Sequence, residues 1–257
     1  MKKINLGVIT TLSIFMIFGI AWAGELLPVA DQAKDNGQGP DHSPVIDRTA
    51  SEEWNLERID FIHYAKPENP GNSGGGSKTE QCYKLMGVKW NQSPVSYVIN
   101  STNSGLSTTS VALAISASAE TWDGSTSLEL FNNRYTMDDI AAYGVQNFEN
   151  ALEFGPYEDP RAIAVTTTWY TRQGRRIVEF DVLFNTAFNW GDATINPSLM
   201  DLRNIATHEI GHGIGLADIY SGTCSTVTMY GYSTEGEVNK RTLEQPDITG
   251  LQRMYGI

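Results

Sequence analysis

The chain is poor in the residues that several function classes require. Its 257 residues hold 18 Lys plus Arg against 30 Asp plus Glu, a formal net charge of −12. A phosphate backbone is gripped by clustered cations. The densest basic stretch here, "GRR" at Gly174–Arg176, lies between two strand-like runs and reads as a solvated hairpin turn, so nucleic acid is excluded as a partner. Cysteine is limited to Cys82 and Cys224, and histidine to His42, His63, His208 and His212. One long apolar run occurs, at the N-terminus, so no second membrane span is expected. A composition of 40% hydrophobic and 10% aromatic residues fits a globular chain with a sizeable core.

That run belongs to a processing signal. Lys2 and Lys3 precede Ile4–Ile20, and "AWAGE" supplies small residues at Ala21 and Ala23. A positive start, an apolar stretch and an A-x-A site read as a signal peptide over 1–23, cleaved after Ala23. An uncleaved anchor is the alternative. The expectation is a secreted, extracellular protein, or a cell-surface one if the segment stays, with no stable membrane association after cleavage and a monomeric state. Residues 24–79 are polar and proline-bearing and close on the linker "ENPGNSGGGSK". They read as a pro-segment or N-terminal extension. Within them "TASEEWNLERIDFIHYAK" alone has structural promise, and its position before the linker supports a latency role in the cleft; a disordered stalk is the other reading. Residues 80–257 form the dense remainder.

There, "VSYVIN" (Val95–Asn100), "ALEF" (Ala151–Phe154), "AIAVTTTWYT" (Ala162–Thr171) and "RIVEFDVLFN" (Arg176–Asn185) have the β-branched character of strands. Ser107–Trp122 places Val111, Ile115, Ala119 and Trp122 on one helical face, with Ser107 as N-cap. A second helix is expected from Asn196 as cap and Pro197 at its first position, and a last one over Gln245–Tyr255. The order gives an α/β (α+β) fold.

The second helix runs into "HEIGHGIGLAD", His208–Asp218. Residues four apart on a helix share a face, so the imidazoles of His208 and His212 can reach one ion. Glu209 points too far round to ligate easily and is placed to act on a water as general base. Catalytic zinc takes three protein ligands. Gly215 is the natural helix stop, and Asp218 follows it; His42 and His63 lie in the extension, which leaves Asp218 as third ligand. A carboxylate there leaves the site at +1 and shifts the expected pH optimum. The bland alternative is a core helix with two satisfied histidines. For Met229 alone, core packing is the plain reading.

The motif H-E-x-x-H-x-x-G-x-x-D resembles that of the metzincin zinc proteases, with the aspartate of snapalysin-type enzymes in third place. "STVTMYGY" supplies the Met-turn methionine, Met229, and "LEQPDITGLQRMYG" is similar to the end of matrixin catalytic domains. The resemblance spans roughly Met86–Gly256. It implies a metzincin-type zincin fold: a twisted five-stranded mixed sheet with an antiparallel edge strand, a long back helix, an active-site helix and a C-terminal helix. By position that edge is Ala162–Trp169, so Ile163, Ala164, Val165 and Thr166 would bind a peptide by strand addition. Tyr220, Tyr230 and Tyr232 are candidates to wall the main pocket or simply to pack. The implied activity is zinc-dependent endopeptidase on protein or peptide substrates, with Zn2+ as cofactor. A catalytically inactive zinc-binding or adhesion protein and a non-peptide amidohydrolase are the alternatives. The matrixin structural zinc is not expected, because no histidine lies between His63 and His208. Calcium is a second candidate cation, on Asp138, Asp139, Asp159, Asp181 and Asp192. Cys82 is read either as disulfide-bonded to Cys224 or as a thiolate that blocks the zinc.

Overall fold

Residues 44–51, 55–67 and 81–257 are described by a computed structural model. The leader at 1–23, its cleavage point and the glycine-rich linker lie outside the described residues. In chain order the elements are β1 (Val45–Ser51), β2 (Leu56–Ala65), β3 (Lys84–Leu85), β4 (Val98–Ile99), α1 (Thr108–Asp123), β5 (Thr136–Met137), β6 (Ala151–Gly155), β7 (Ala162–Thr171) and β8 (Ile177–Asn185). There follow β9 (Trp190–Gly191), β10 (Met200–Asp201), α2 (Leu202–Gly213), β11 (Leu216–Ala217), β12 (Tyr232–Ser233) and α3 (Gln245–Tyr255). The main sheet is ordered β1-β2-β7-β8-β6-β4-β5, and β12 also pairs with β2. β8, β6, β4 and β5 are parallel, whereas β7 is antiparallel to β8. This is the expected mixed α/β sheet, widened on one side.

The widening comes from the extension. In the sequence Ala162–Trp169 has the position of an edge; in the structure β7 is interior. β2 lies antiparallel along it from Leu56↔Thr171 to Tyr64↔Ala162, with an irregularity between His63 and Tyr64. An open edge leaves a row of backbone donors and acceptors unpaired, and "LERIDFIHYA" supplies the missing partners. Ile59 and Phe61 are buried in doing so, each contributing about 1.5–3 kcal/mol relative to exposure. The disordered-stalk reading therefore does not hold for Leu56–Ala65.

Helix α1 forms as its spacing dictates. Ser107 accepts from Ser110 N at the cap, and Val111, Ile115, Ala119 and Trp122 are buried. The Trp122 ring crosses to α2 and donates Nε1–H to Thr207 O at 2.9 Å. Helix α2 begins later than Asn196–Pro197 would have it. The residues Asn196–Ser198 form a side-chain-bonded turn, with Ser198 N donating to Asn196 Oδ1. The N-cap is Asp201, whose carboxylate accepts from Asn204 N and Ala193 N and faces Arg241. A carboxylate held by that many donors defines the helix start better than an exposed asparagine does. Strand Val95–Asn100 shortens to Val98–Ile99, and α3 has the expected bounds. One core joins α1, α2 and the sheet, with Trp122, Phe180, Phe184, Ile205 and Met229 among its members.

Candidate metal centre and the strand that covers it

Helix α2 carries both histidines on its buried side, and each imidazole is fixed through Nδ1. His208 Nδ1 donates to Thr228 O, and His212 Nδ1 to Leu216 O, both at 2.8 Å. With the Nδ1 protons so committed, the Nε2 lone pairs point inward, 3.1 Å apart. Two unprotonated nitrogens at that distance repel unless a cation lies between them. Asp218 Oδ1 stands 3.2 Å from one Nε2 and 3.4 Å from the other. It is buried and has no hydrogen-bond partner. Donors about 2.0–2.1 Å from a tetrahedral zinc lie roughly 3.3 Å from one another. The three atoms therefore fit such an ion in type, orientation and spacing. Burial by itself opposes charge on the Asp218 carboxylate, so its inward-facing oxygen calls for a positive partner. Its second oxygen accepts from Tyr220 Oη at 3.1 Å.

Chain reversal brings Asp218 round. Gly215 has φ +105°, and a Cβ there would stand 2.3 Å from Val88 O, so only glycine fits. Gly215 N still donates to His212 O at 2.9 Å, which finishes the last turn. Met229 packs beneath the helix: a Cβ on Gly211 would lie 2.3 Å from its Sδ. Asp247, at the start of α3, accepts from Thr228 N and Met229 N and so fixes that turn under the histidines. Cys82 and Cys224 form a disulfide, which ties the chain before β3 to the loop after Asp218. Cys82 is therefore not a thiolate poised over the metal.

Strand β2 covers the centre. Phe61 stacks on His212 with ring centroids 4.1 Å apart, and His63 leans on His208 at 4.0 Å. His63 Nδ1 is 2.9 Å from Glu209 Oε1, and Thr166 Oγ1 donates to Glu209 Oε2 at 2.6 Å. Both carboxylate oxygens of Glu209 are thus engaged. Burial, with His208 nearby, pushes the His63 imidazole down to about 3, so it is neutral and donates Nδ1–H to the carboxylate. Burial raises Glu209, yet the bond from His63 and the adjacent imidazoles bring it below its ordinary value. His63 Nε2 meets Ser233 Oγ at 3.1 Å on the other side. Two groups of donors can converge on an ion among the described residues: His208, His212 and Asp218, and His63, His208 and Glu209.

The sequence-derived site residues therefore come together around α2. Thr166 belongs to the site as a partner of Glu209, while Ile163, Ala164 and Val165 are fully buried in β7. Asp138, Asp139, Asp159, Asp181 and Asp192 are in neither ion-sized group. Asp159 bonds Arg161, Asp192 bonds Arg241, and Asp181 accepts from Gly144 N and Ala151 N. Tyr220, Tyr230 and Tyr232 pack edge to face in one row. Sequence reasoning placed the segment of Phe61 and His63 in the cleft but did not single out these residues or Ser233 as neighbours of the centre. For His63 a signal existed: it is one of four histidines and sits in an alternating run.

Over 176 residues the chain is 28% identical to karilysin of Tannerella forsythia, covering 68% of this chain and 34% of that protein. Over 172 residues it is 25% identical to the hatching enzyme of Paracentrotus lividus, covering 66% and 27%. Over 209 residues it is 23% identical to matrix metalloproteinase-16 of Homo sapiens, covering 77% and 33%. The chain thus spans about a third of the length of these relatives. Residues 89–256 match the family described as Matrixin. With that match taking in the candidate metal centre, the Met229 turn and α3, and covering more than half of the sequence, the chain belongs to the matrixin family.

Proposed function

We propose that the protein is an exported zinc endopeptidase whose residues 24–79 act as a pro-segment. The observation that carries the reading is the set of three inward-facing donors, His208 Nε2, His212 Nε2 and Asp218 Oδ1, with Glu209 one residue beyond the first. A zinc ion held by these three would polarise the scissile carbonyl and acidify a water. Glu209 would take the proton from that water and pass it to the leaving amine. Thr166, bonded to the far oxygen of Glu209, keeps the carboxylate turned toward the centre.

The slot between β7 and β12 is where a substrate would lie. Strand β2 occupies it now, antiparallel to β7 and parallel to β12. At its end Ala65 N donates to Arg161 O and Lys66 N to Ser233 O, both at 2.9 Å. A slot that grips an extended backbone on both sides favours a peptide over a small non-peptide amide. Because the strand that fills it also engages Glu209 through His63, the full chain is read as latent.

The test is Glu209→Gln in the full chain after the linker has been cut. Metal content should stay at one zinc per chain while peptide cleavage falls by about 10²–10⁴-fold, the usual contribution of a general base. Chelation should silence the unsubstituted protein. Undiminished cleavage by the variant would remove Glu209 from the base role.

A further inference from the structure

Ser233 and Lys240 form a buried pair behind the slot that neither the metal nor Glu209 requires. Ser233 is fully buried and Lys240 is 1% exposed. Lys240 Nζ donates to Tyr232 O at 2.6 Å, to Ser233 Oγ at 2.6 Å and to Glu237 Oε1 at 2.7 Å. An ammonium carries three protons and no lone pair, so this set exhausts it and fixes its place. The consequence falls on Ser233. With one lone pair of Oγ filled by Lys240, the serine proton is turned the other way, toward His63 Nε2 at 3.1 Å. The Glu209 carboxylate only accepts, so the His63 proton that faces it is on Nδ1, and Nε2 is left to accept from Ser233. The hydrogen bonds run in one direction from Lys240 through Ser233 and His63 to Glu209.

When β2 leaves, half of this chain stays. Lys240 and Ser233 belong to the wall, and the Ser233 proton then points into the vacated slot without an acceptor. A buried donor left unpaired is costly, and a site built to bond a polar group rejects an analogue that lacks it. Resting on the reading of the slot as the substrate site, we propose that Ser233, oriented by Lys240, selects peptides whose residue in the place of His63 offers a neutral side-chain acceptor. Histidine, asparagine and glutamine qualify. An aliphatic side chain leaves the Ser233 proton unpaired. An acidic one meets the Glu209 carboxylate on the opposite side of the same space.

The experiment uses the full chain with a site-specific protease sequence placed in Asn72–Ser77, folded whole, loaded with zinc and then nicked. A complex peptide mixture is digested and the cleaved bonds are read by mass spectrometry. Enrichment of His, Asn and Gln at one position within two residues of the cut is expected. Matched peptides with His or Leu at that position should differ about tenfold in kcat/KM, the scale of one unpaired buried donor. Ser233→Ala should bring that ratio close to one and Ser233→Thr should restore it. A ratio between two substrates is insensitive to the fraction of folded enzyme. Cleavage with a flat or aliphatic profile, or a ratio unmoved by Ser233→Ala, would overturn the selection by Ser233 and leave the endopeptidase reading standing. Absence of any cleavage would overturn both.

Discussion

Glu209 is held from two sides, by His63 on one oxygen and Thr166 on the other. The latency proposed for the full chain works at this residue, by occupying the base. His63→Ala in the uncut chain should raise basal peptide cleavage by about tenfold or more, since a hydrogen bond to a charged group contributes roughly 1.5–3 kcal/mol. Unchanged basal cleavage with zinc bound would place the block elsewhere in β2. Asp181 sets a separate dependence on pH. Burial, against the bonds from Ala151 N and Gly144 N and with Glu179 close by, pushes its carboxyl up from 3.8 to about 8. A raised carboxyl means that the folded state keeps a proton which the unfolded state gives up near 3.8. Its contribution is complete below that pH and fades as pH rises toward 8. The denaturation midpoint should accordingly fall between pH 5 and 8, about in line with that linkage, and Asp181→Asn should flatten the fall. Equal pH slopes in the two proteins would show that Asp181 is ionised in the fold.

At the scale of elements, the site is an agreement between α2 and the segment on its C-terminal side. The helix alone sets the spacing of His208 and His212. The break at Gly215 and the contact of β11 with β3 then deliver Asp218. The Cys82–Cys224 disulfide spans 142 residues and links this region to the chain just ahead of β3. Reduction, or the double change of Cys82 and Cys224 to Ser, should lower unfolding stability by about 2–4 kcal/mol, mainly by freeing the unfolded chain. Denaturant titration with and without reductant measures it, and coincident curves would show that the cross-link contributes nothing. Helices α1 and α3 were legible because a single apolar face decides them. The start of α2 was not, because Asp201 acts as cap only after Arg241 and Ala193 N, distant or irregular in sequence, are brought to it.

For the molecule as a whole, the extension is both cover and structure. Strand β2 pairs with β7, β1 and β12 and buries Ile59 and Phe61. Cutting the linker and removing the released piece should therefore move two properties in opposite directions. Peptide cleavage should rise, while the thermal midpoint should fall by several degrees, as losing about 1–3 kcal/mol does to a domain of this size. A cut protein with unaltered activity and unaltered midpoint would mean that β2 neither blocks nor supports the fold. No described helix is long and apolar enough to cross a membrane.

The sequence by itself determined the local chemistry. Two histidines four apart, a glutamate between them, a glycine stop and an aspartate three residues on mark a candidate metal centre because helix pitch and the left-handed turn are properties of short stretches. The strands Ala162–Thr171 and Arg176–Asn185, the latter observed from Ile177, were readable for the same reason. The tertiary structure alone decided what lies over that centre. Whether β7 ends the sheet or receives β2 decides whether His63 meets Glu209, 146 residues away in sequence. Nothing in either segment alone reveals that choice, since a strand's unpaired backbone groups accept any partner whose side chains fit the faces they meet.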